Sequence, residues 1–488
     1  MNQRSAPGDL RAIARQAMIE RGLEPDFPRE ANQQLKTIPM AAHEADPTIR
    51  DLRGLAWCSI DNDTSRDLDQ LTVAERLDER RVKVLVAVAD VDALVKPGSP
   101  IDRHATTNTT SVYTPAQIFP MLPERLSTDL TSLNEGVERL AMVVELVVGD
   151  NAVVHESTVY RARVTNHAKL AYNGVSAWLD AVDTVPEKIA NVAGLDEQLR
   201  LQDSIAQRMR SLRFMHGALE LETIEPEAVV EQGQVIDLRL QRKNRAQDLI
   251  EDFMIAANSA VARFLAEQGR PTLRRVVRVP KRWDRIREVA AGIGCTLPEA
   301  PDPAALAAFL DHRRQADPLR FADLSLTIVK LLGPGEYVVQ LPGQQSQGHF
   351  GLAVREYTHS TAPNRRFPDL ITQRMLKAAL SAATMPYDAG ELEALAKHCT
   401  TQEDAARKVE RQVSKSAAAL FLARRIGQTF EGLVTGAASK GTWVRLLKPP
   451  VEGRLTAGYE HLDVGDKVNV RLKSVNVPRG FIDFERVN

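Results

Sequence analysis

The chain has 488 residues, 43% of them hydrophobic, so it is long enough for roughly two to four domains built around packed cores. Its 63 lysines and arginines are balanced by 64 aspartates and glutamates, which excludes the global basic field of many nucleic-acid-binding proteins. A polyanionic ligand would therefore have to be bound by local groups.

The three cysteines, Cys58, Cys295 and Cys399, are far apart, so neither a disulfide framework nor a zinc site is expected. The N-terminal segment lacks the apolar core of a signal peptide, and no apolar run is long enough to cross a bilayer. We therefore expect a soluble cytoplasmic protein without a membrane partner.

At the N-terminus, residues 9–22 have apolar side chains on one helical face, and Gly22 is placed to end the helix. This pattern predicts a short helix. Residues 1–50 are expected to form a small helical module, for which a helix-turn-helix is our interpretation.

Four aspartates, Asp61, Asp63, Asp67 and Asp69, fall within nine residues after the apolar-rich run 54–59. So much negative charge on one turn needs a cation, and hard divalent ions such as Mg²⁺ take oxygen ligands. A pair of such ions can hold the attacking and leaving oxygens of a phosphodiester. Two-metal phosphodiester chemistry is therefore one hypothesis for this cluster.

Two other interpretations of the cluster were weighed. Short runs of Asp, Asn and Ser often form turns, because these side chains bond their own backbone, so an acidic surface turn without chemistry stays open. A calcium loop would use Asp61, Asp63 and Ser65 as its first ligands. It would also need Gly and Glu where this chain has Arg66 and Thr72, so the spacing excludes it.

The rest of the chain predicts an α+β fold. Apolar or alternating runs over residues 82–89, which end at Asp90, and over residues 140–148 and 153–164 are typical of strands. Residues 228–240, around Gly233, resemble a hairpin. Helical spacing recurs in seven later segments: 167–180, 195–215, 244–268, 281–291, 303–313, 370–383 and 401–426.

A basic stretch lies between Arg239 and Arg285, with twelve lysines and arginines, among them Arg242, against five acidic residues. It could line a nucleic-acid channel, in which case salt should weaken binding steeply. The alternative is the solvated face of ordinary helices.

After Gly427 the sequence pattern changes to short strand-like runs separated by Gly and Pro. This pattern predicts a small five-stranded barrel over residues 429–488. Such barrels bind single strands by stacking bases on exposed aromatic side chains beside basic ones. The candidates for stacking are Trp443, Tyr459 and Phe481, and those for phosphate contacts are Lys440, Arg445 and Lys473.

Several segments, taken together and in order, resemble the ribonuclease II (RNB) exoribonuclease domain. The last of them, residues 358–369, is close to the family's Thr-Ser-Pro-Ile-Arg-(Arg/Lys)-Tyr-x-Asp signature. The other segments are Asp61, Asp67 and Asp69, and residues 89–91, 110–115, 120–123, 166–172, 217–222 and 250–258.

The resemblance implies a catalytic domain over residues 51–428, with a mixed sheet and surrounding helices. The C-terminal barrel resembles an S-one type RNA-binding domain with an OB-fold. Many family members carry paired cold-shock barrels before the catalytic domain, but residues 1–50 are too few for two closed barrels. We therefore expect this chain to depart from the family there.

The resemblance also implies roles for the aspartates. In the family such a cluster holds Mg²⁺, for which Mn²⁺ can substitute, at the terminal phosphodiester, which an activated water attacks. Asp61 and Asp67 become metal ligands, Asp69 becomes both a ligand and the catalytic carboxylate, and Asp63 lies outside the motif. Family members usually carry a second aspartate where this chain has Gln70, whose amide can coordinate Mg²⁺ without bringing charge.

Arg365 is the second catalytic candidate, because a guanidinium can hold the scissile phosphate with two parallel bonds. Its alternative role is an internal salt bridge. The adjacent Arg366 is a further candidate for RNA binding, and Phe367 replaces the family's usual tyrosine.

Three more residues match family positions that bind RNA. Tyr113 and Tyr172 correspond to residues that pack against the 3′ end, and Glu251 to one that senses the ribose 2′-hydroxyl. That hydroxyl is how a site distinguishes RNA from DNA. For either tyrosine, a half-buried core position is the alternative.

The resemblance therefore implies a Mg²⁺-dependent, processive 3′-to-5′ exoribonuclease that degrades single-stranded RNA to nucleoside 5′-monophosphates. We expect it to act as a monomer. Two alternatives stay open: a catalytically weakened RNA-binding or regulatory protein, suggested by Gln70, and a DNA-directed nuclease, for which the metal cluster would serve equally well.

Overall fold

A computed structural model describes residues 9–222, 226–231, 234–240, 243–438 and 441–487. Gly233 of the predicted hairpin, Arg242 of the basic stretch and Lys440 of the barrel lie outside these residues. The helices are α1 (Leu10–Glu20), α2 (Arg29–Thr37), α3 (Pro100–Asn108), α4 (Tyr172–Leu179), α5 (Glu187–Ala190), α6 (Leu195–Met215), α7 (Arg245–Glu267), α8 (Trp283–Gly292), α9 (Pro303–Ala316), α10 (Pro318–Leu332), α11 (Phe367–Leu380) and α12 (Ala389–Leu422).

The strands fall into one large sheet, three two-stranded sheets and a closed barrel. They are β1 (Arg50–Asp51), β2 (Cys58–Asp61), β3 (Gln70–Arg76), β4 (Val82–Ala89), β5 (Val112–Tyr113), β6 (Ile118–Phe119), β7 (Glu138–Val148), β8 (Val154–Thr165), β9 (Ala168–Ala171), β10 (Pro226–Glu231), β11 (Gln234–Leu240), β12 (Thr272–Val276), β13 (Glu336–Gln340), β14 (Thr429–Ala438), β15 (Gly441–Leu446), β16 (Glu452–Ala457), β17 (Lys467–Asn476) and β18 (Phe481–Val487).

The large sheet is mixed and has the strand order β1-β8-β7-β4-β3-β2-β9. Its inner pairs are antiparallel, whereas β1 joins β8 and β2 joins β9 in parallel. The inner strand β4 is almost entirely buried, as its continuous apolar run requires. Helices α6 and α7 pack against this sheet and α11 packs against α7, and these elements contain the main hydrophobic core.

The predicted helix over residues 167–180 is wrong in its first part. Ala168 to Ala171 form β9, which pairs with β2, and only Tyr172–Leu179 is helical. The reason is a period of two: Ala168 and Leu170 are buried while Lys169 between them is not. The predicted C-terminal helix starts at Ala389 rather than near residue 401, because Asp388 and Glu391 form a capping box.

Helices α8, α9 and α10 form a separate small core, with Trp283, Phe309 and Phe321 among its members. Helix α10 was not predicted, although its start carries an ordinary signal. Asp317 caps the helix and Pro318 occupies its first turn, and both residue types are favoured there.

The C-terminal barrel is closed, with the strand order β14-β15-β16-β18-β17. Its core, which includes Val444, Leu455 and Phe484, continues into the last turns of α12 through Ala419 and Leu422. The mixed sheet with its helices and this five-stranded barrel confirm the predicted α+β class.

The N-terminal helices pack on the main body at different places. The buried face of α1 contacts α12 and the β5–β6 hairpin through a cluster that includes Met18, Phe119 and Val409. Helix α2 packs against α3. In the part of the chain that the structure describes, no helix has the length and apolar character needed to cross a membrane.

Candidate active site

The aspartate cluster lies between β2 and β3, and we call residues 62–69 the aspartate loop. Asp61 ends β2, and Asp69 directly precedes β3. The Asp69 carbonyl accepts a hydrogen bond from the Ala89 N–H at the end of β4, at 2.9 Å. Both ends of the loop are therefore fixed to the sheet, which gives the rigid support that a reactive site needs.

The signature segment before α11 meets the carboxylate of Asp69. Arg365 Nε lies 3.0 Å from Asp69 Oδ2, and the Asn364 N–H donates to Asp69 Oδ1, also at 3.0 Å. Asp69 is only 2% exposed, whereas 41% of the Arg365 side chain remains accessible. Arg365 thus forms the predicted internal salt bridge and still has surface left to contact a phosphate.

The three acidic side chains of the predicted motif influence one another. Burial raises the pKa of Asp69 to about 7; the positive charge of Arg365 opposes this shift and the negative charge of Asp67 adds to it. Burial also raises the pKa of Asp67, and the charge of Asp61 contributes in the same direction. So much negative charge beside a single arginine favours a further cation.

These donors fit a magnesium ion by their chemistry, because all of them are oxygens. They are not assembled into a finished site: among the described residues, no three acidic, histidine or cysteine side chains converge as metal ligands. Asp69 already pairs with Arg365. Asp61 and Asp67 also have hydrogen-bond partners, Ser65 and Tyr113, so the assignment of Asp61, Asp67 and Asp69 as ligands stays a prediction.

Gln70, the fourth predicted ligand, is the first residue of β3 and is buried. Successive side chains of an extended chain point to opposite sides, so Gln70 and Asp69 are expected to face apart. Across the described ranges, no hydrogen bond joins the Gln70 amide to the three carboxylates. The geometry leaves the role of Gln70 as a prediction.

Tyr113 stands beside the aspartates. Its hydroxyl donates to Asp67 Oδ2 at 3.2 Å, and its backbone N–H donates to Glu410 Oε1 on α12 at 2.9 Å. The ring itself is partly exposed on β5. An aromatic ring anchored next to a carboxylate is placed to stack on a base.

Charges of the site act on Tyr172, whereas Glu251 is engaged by a lysine. Burial raises the pKa of the Tyr172 hydroxyl, and the charges of Asp61 and Arg365 also act on it, which places it within their electrostatic range. Glu251 is half-buried on α7 and pairs with Lys243. In the described chain, no hydrogen bond or ion pair connects Glu251 to Tyr172 or to the aspartates.

Arg366 points into the protein, unlike its neighbour. Its Nη2 donates to Asp369 Oδ1 at 2.7 Å, and the Asp369 side chain is fully buried. The same carboxylate oxygen accepts a hydrogen bond from the Ala362 N–H at 2.8 Å. Arg366 therefore supports the shape of the signature segment, and its predicted contact with RNA stays a prediction.

Sequence reasoning missed several residues that hold the aspartate loop. Lys169 Nζ contacts the Ser65 carbonyl, and the Ser65 hydroxyl donates to Asp61 Oδ1 at 2.9 Å. The Ser132 hydroxyl contacts the backbone at Arg66 and Leu68. Ser132 stands in the ordinary segment Thr131 to Leu133, and nothing in the sequence there indicates such a contact.

The barrel residues differ in how much they expose. Phe481 is 57% exposed and Tyr459 is also exposed, whereas Trp443 is half-buried on β15. Arg445 is engaged elsewhere, because its guanidinium forms two bonds with Asp323 of α10 at 2.5 and 3.1 Å. This pair fixes the barrel to the helices α8–α10.

The basic stretch does not form one surface. Arg274 and Arg275 are buried, and Arg275 pairs with Glu403. Arg245 pairs with Asp180 and Asp203. By contrast, Lys281 and Arg282 are exposed near the start of α8. Part of this charge, at Arg245, Arg274 and Arg275, therefore serves ion pairs within the protein, and the larger part is exposed.

Curated relatives and solved structures resemble this chain along most of its length. Ribonuclease R of Escherichia coli is 29% identical over 95% of this chain, and that of Aquifex aeolicus is 28% identical over 95%. The chain spans 60% of the first relative and 69% of the second. Mycoplasma genitalium RNase R in complex with ribose-methylated single-stranded RNA has a TM-score of 0.87 at 22% identity, covering 98% of this chain and 78% of that one.

A second solved structure, that of yeast Ssd1, a pseudonuclease, has a TM-score of 0.72 at 16% identity and covers 96% of this chain and 57% of that one. At such identities these structures show the fold alone. The RNase II-type exonuclease C-terminal S1 domain matches residues 428–487, and the RNB domain matches residues 49–382. Since the match to the RNB domain covers well over half of the chain, this protein belongs to the RNB family.

Proposed function

We propose that this chain is a 3′-to-5′ exoribonuclease that hydrolyses single-stranded RNA processively to nucleoside 5′-monophosphates and depends on Mg²⁺. The observation that carries the proposal is the contact between Asp69 and Arg365, with Asp67 and Tyr113 beside it. Curated relatives named Ribonuclease R support it. This chain spans 60% of the first of these relatives, and we propose that it shares their activity.

The domain division belongs to the same proposal. Residues 51–428 form the catalytic unit, residues 429–488 form the RNA-binding barrel, and residues 1–50 form a helical N-terminal module. The matches to the RNB domain at 49–382 and to the S1 domain at 428–487 support the two larger units.

The roles of the residues follow from their contacts. Arg365 is held by Asp69 and turns its accessible part toward the scissile phosphate, where its fixed charge stabilises the transition state. Tyr113 and Tyr172 lie at the edges of the space that the terminal nucleotide would occupy. A magnesium ion held by Asp61 and Asp67 would supply the positive charge that a phosphodiester needs when water attacks it.

A second candidate function is RNA binding without efficient cleavage. Two observations favour it: Gln70 contributes no charge, and the described aspartates do not converge on one point. The fold does not separate the two candidates, because its structural relatives include a pseudonuclease as well as ribonucleases. DNA cleavage is the third candidate, and the position of Tyr172 near Asp61 speaks against it.

One experiment distinguishes these candidates. Purified protein and its Asp69→Asn variant are incubated with 5′-labelled RNA or matching DNA, in Mg²⁺, in Mn²⁺ or in chelator. We expect metal-dependent stepwise shortening of RNA alone, absent from the variant. Binding of RNA without shortening would support the second candidate function, RNA binding without efficient cleavage. Shortening of DNA would support the third, DNA cleavage.

A further inference from the structure

Ser132 contacts the aspartate loop on both sides of Asp67. Its hydroxyl donates to the Arg66 carbonyl at 2.7 Å and accepts a hydrogen bond from the Leu68 N–H at 3.0 Å. Ser132 is fully buried. Because Asp67 is the residue between these two anchors, one hydroxyl fixes the backbone before and after it.

The hydroxyl is the only part of Ser132 that can make both contacts. A serine hydroxyl has one hydrogen to donate and two lone pairs to accept with. The short contact with Arg66 uses the hydrogen, and the Leu68 N–H uses one lone pair. A methyl group can do neither, so its loss would leave two backbone groups without this partner.

Ser132 is itself held rigidly. Its carbonyl accepts from Arg139 Nε at 3.1 Å, and the next residue, Leu133, donates its N–H to the Leu68 carbonyl at 3.0 Å. The Asn166 side chain donates to the Leu133 carbonyl at 3.0 Å and also to the Ser59 hydroxyl on β2. Ser132 is therefore held in place relative to the sheet, and its hydroxyl in turn holds the loop in place.

The Tyr113 hydroxyl contacts the Asp67 carboxylate itself, and the Leu133 N–H donates to the Leu68 carbonyl. The other anchors of the loop lie away from Asp67. Lys169 and Asp61 hold Ser65, and Ala89 holds the carbonyl of Asp69. Within the described residues, Ser132 supplies the side-chain contacts to the two residues that flank Asp67. Partners of this kind orient a metal ligand without touching the metal, and their loss weakens metal binding.

We propose that Ser132 is a positioning residue that holds the carboxylate of Asp67 in place for a divalent cation. This inference rests on the proposed function, in which Asp67 is a ligand. It adds a residue outside the recognised motif that sets the geometry of that ligand.

The test measures cation binding directly. Mn²⁺ is titrated into the whole protein without RNA, by calorimetry, for wild type, Ser132→Ala, Ser132→Cys and Asp67→Asn. We expect Ser132→Ala to weaken Mn²⁺ binding by roughly 10-fold or more. Ser132→Cys is somewhat larger but keeps a weak donor and a weak acceptor, so it should give an affinity between those of wild type and Ser132→Ala; thermal unfolding of each variant checks that it is folded.

Separate measurement of kcat and KM gives a second readout. On single-stranded RNA at fixed Mg²⁺, Ser132→Ala should lower kcat and leave KM for RNA unchanged, because the loop binds the cation rather than the strand. The matched control is Ser127→Ala, which removes another buried hydroxyl, one whose hydrogen bond within the described ranges is to the Leu122 carbonyl, at 3.4 Å. Its Mn²⁺ affinity should equal that of wild type.

Each outcome has a clear meaning. Wild-type affinity in both Ser132→Ala and Ser132→Cys would overturn the role of Ser132, as would an equal loss in Ser127→Ala. If Asp67→Asn left Mn²⁺ binding unchanged, Asp67 would not be a ligand, and the proposed metal site would fail together with the inference. The two failures are distinguished by whether Asp67→Asn or only Ser132→Ala behaves like wild type.

Discussion

The guanidinium of Arg365 lies 3.0 Å from the carboxylate of Asp69, although 296 positions separate them in the chain. The adjacent Asn364 N–H occupies the other carboxylate oxygen. Each end of this contact comes from a segment that resembles the RNB family. The contact therefore joins the aspartate loop and the signature segment into one site.

Replacing Arg365 by lysine should lower kcat by about 10²- to 10³-fold, because a single ammonium cannot bind Asp69 and a phosphate with a planar fork. The measurement is the initial rate of nucleotide release at saturating RNA. Arg285→Lys is the control, since Arg285 is exposed on α8 and pairs with Glu288. A loss no larger than that of the control would show that Arg365 does not contact the reacting phosphate.

If position 70 is a ligand, as the family resemblance implies, Gln70→Asp should lower the Mg²⁺ concentration needed for half-maximal activity, because a carboxylate brings the negative charge that the amide lacks. In chelator the same variant should melt at a lower temperature than wild type, since a further carboxylate would be buried without a partner, and Mg²⁺ should reverse this loss. An unchanged metal titration would count against Gln70 as a ligand.

Tyr172→Phe should relax the preference for RNA over DNA, because the ring is kept and only the hydroxyl that could sense the ribose is lost. The ratio of kcat/KM for matched RNA and DNA strands is the quantity to measure. Tyr160→Phe serves as the control, because the Tyr160 hydroxyl binds Glu145 between two strands of the sheet. Equal losses on RNA and DNA in Tyr172→Phe would refute the assignment.

Acidification should destabilise the protein through His349. Burial lowers the pKa of His349 from 6.5 to about 4, and the nearby Arg275 charge acts in the same direction. In the folded state its Nδ1 accepts from the Leu352 N–H, a contact that protonation would break. Since the folded pKa is below the unfolded one, the unfolded state binds the extra proton, and stability falls as the pH drops from 6.5 toward 4.

The loss attributable to His349 should reach roughly 2 kcal/mol near pH 4.5. It is measured as the difference between wild type and His349→Gln in chemical unfolding at pH 7 and at pH 4.5. His359 carries a shift of the same sign, to which charge on His349 contributes, so the comparison measures His349 together with its coupling to His359. A wild-type protein that loses no more stability than the variant would contradict the prediction.

The class of the fold could be predicted from the sequence because helices and strands leave local patterns, and the proposed site residues could be named because they stand in segments that resemble the family. Long periodic runs such as 195–215 gave the helix directly, and the aspartates and Arg365 stand in recognisable segments. The strand β9 was missed because four residues with one short alternation are too few to outweigh a helical pattern that follows them.

The supporting contacts of the site could not be predicted for a different reason. Ser132 and Arg66 are 66 positions apart, and nothing in either residue type marks the other as its partner. The same holds for Asn364, whose useful group is a backbone N–H that every residue other than proline carries. Contacts of this kind depend on the register of the folded chain.

The barrel offers a prediction that separates docking from RNA binding. Arg445 and Asp323 are largely buried, and burial raises the pKa of Asp323 while the Arg445 charge lowers it. Arg445→Gln should therefore reduce stability by about 1–3 kcal/mol, because it leaves a buried carboxylate unpaired. The double variant with Asp323→Asn should recover part of that loss.

The same variants report on binding. Because Arg445 is engaged with Asp323, Arg445→Gln should leave the affinity for a single-stranded RNA unchanged in chelator, whereas Lys473→Gln, at an exposed position of β17, should weaken it. Fluorescence anisotropy gives the affinities and urea unfolding gives the stabilities. If Arg445→Gln weakened RNA binding as much as Lys473→Gln did and left stability untouched, Arg445 would be a phosphate contact rather than the anchor of the barrel.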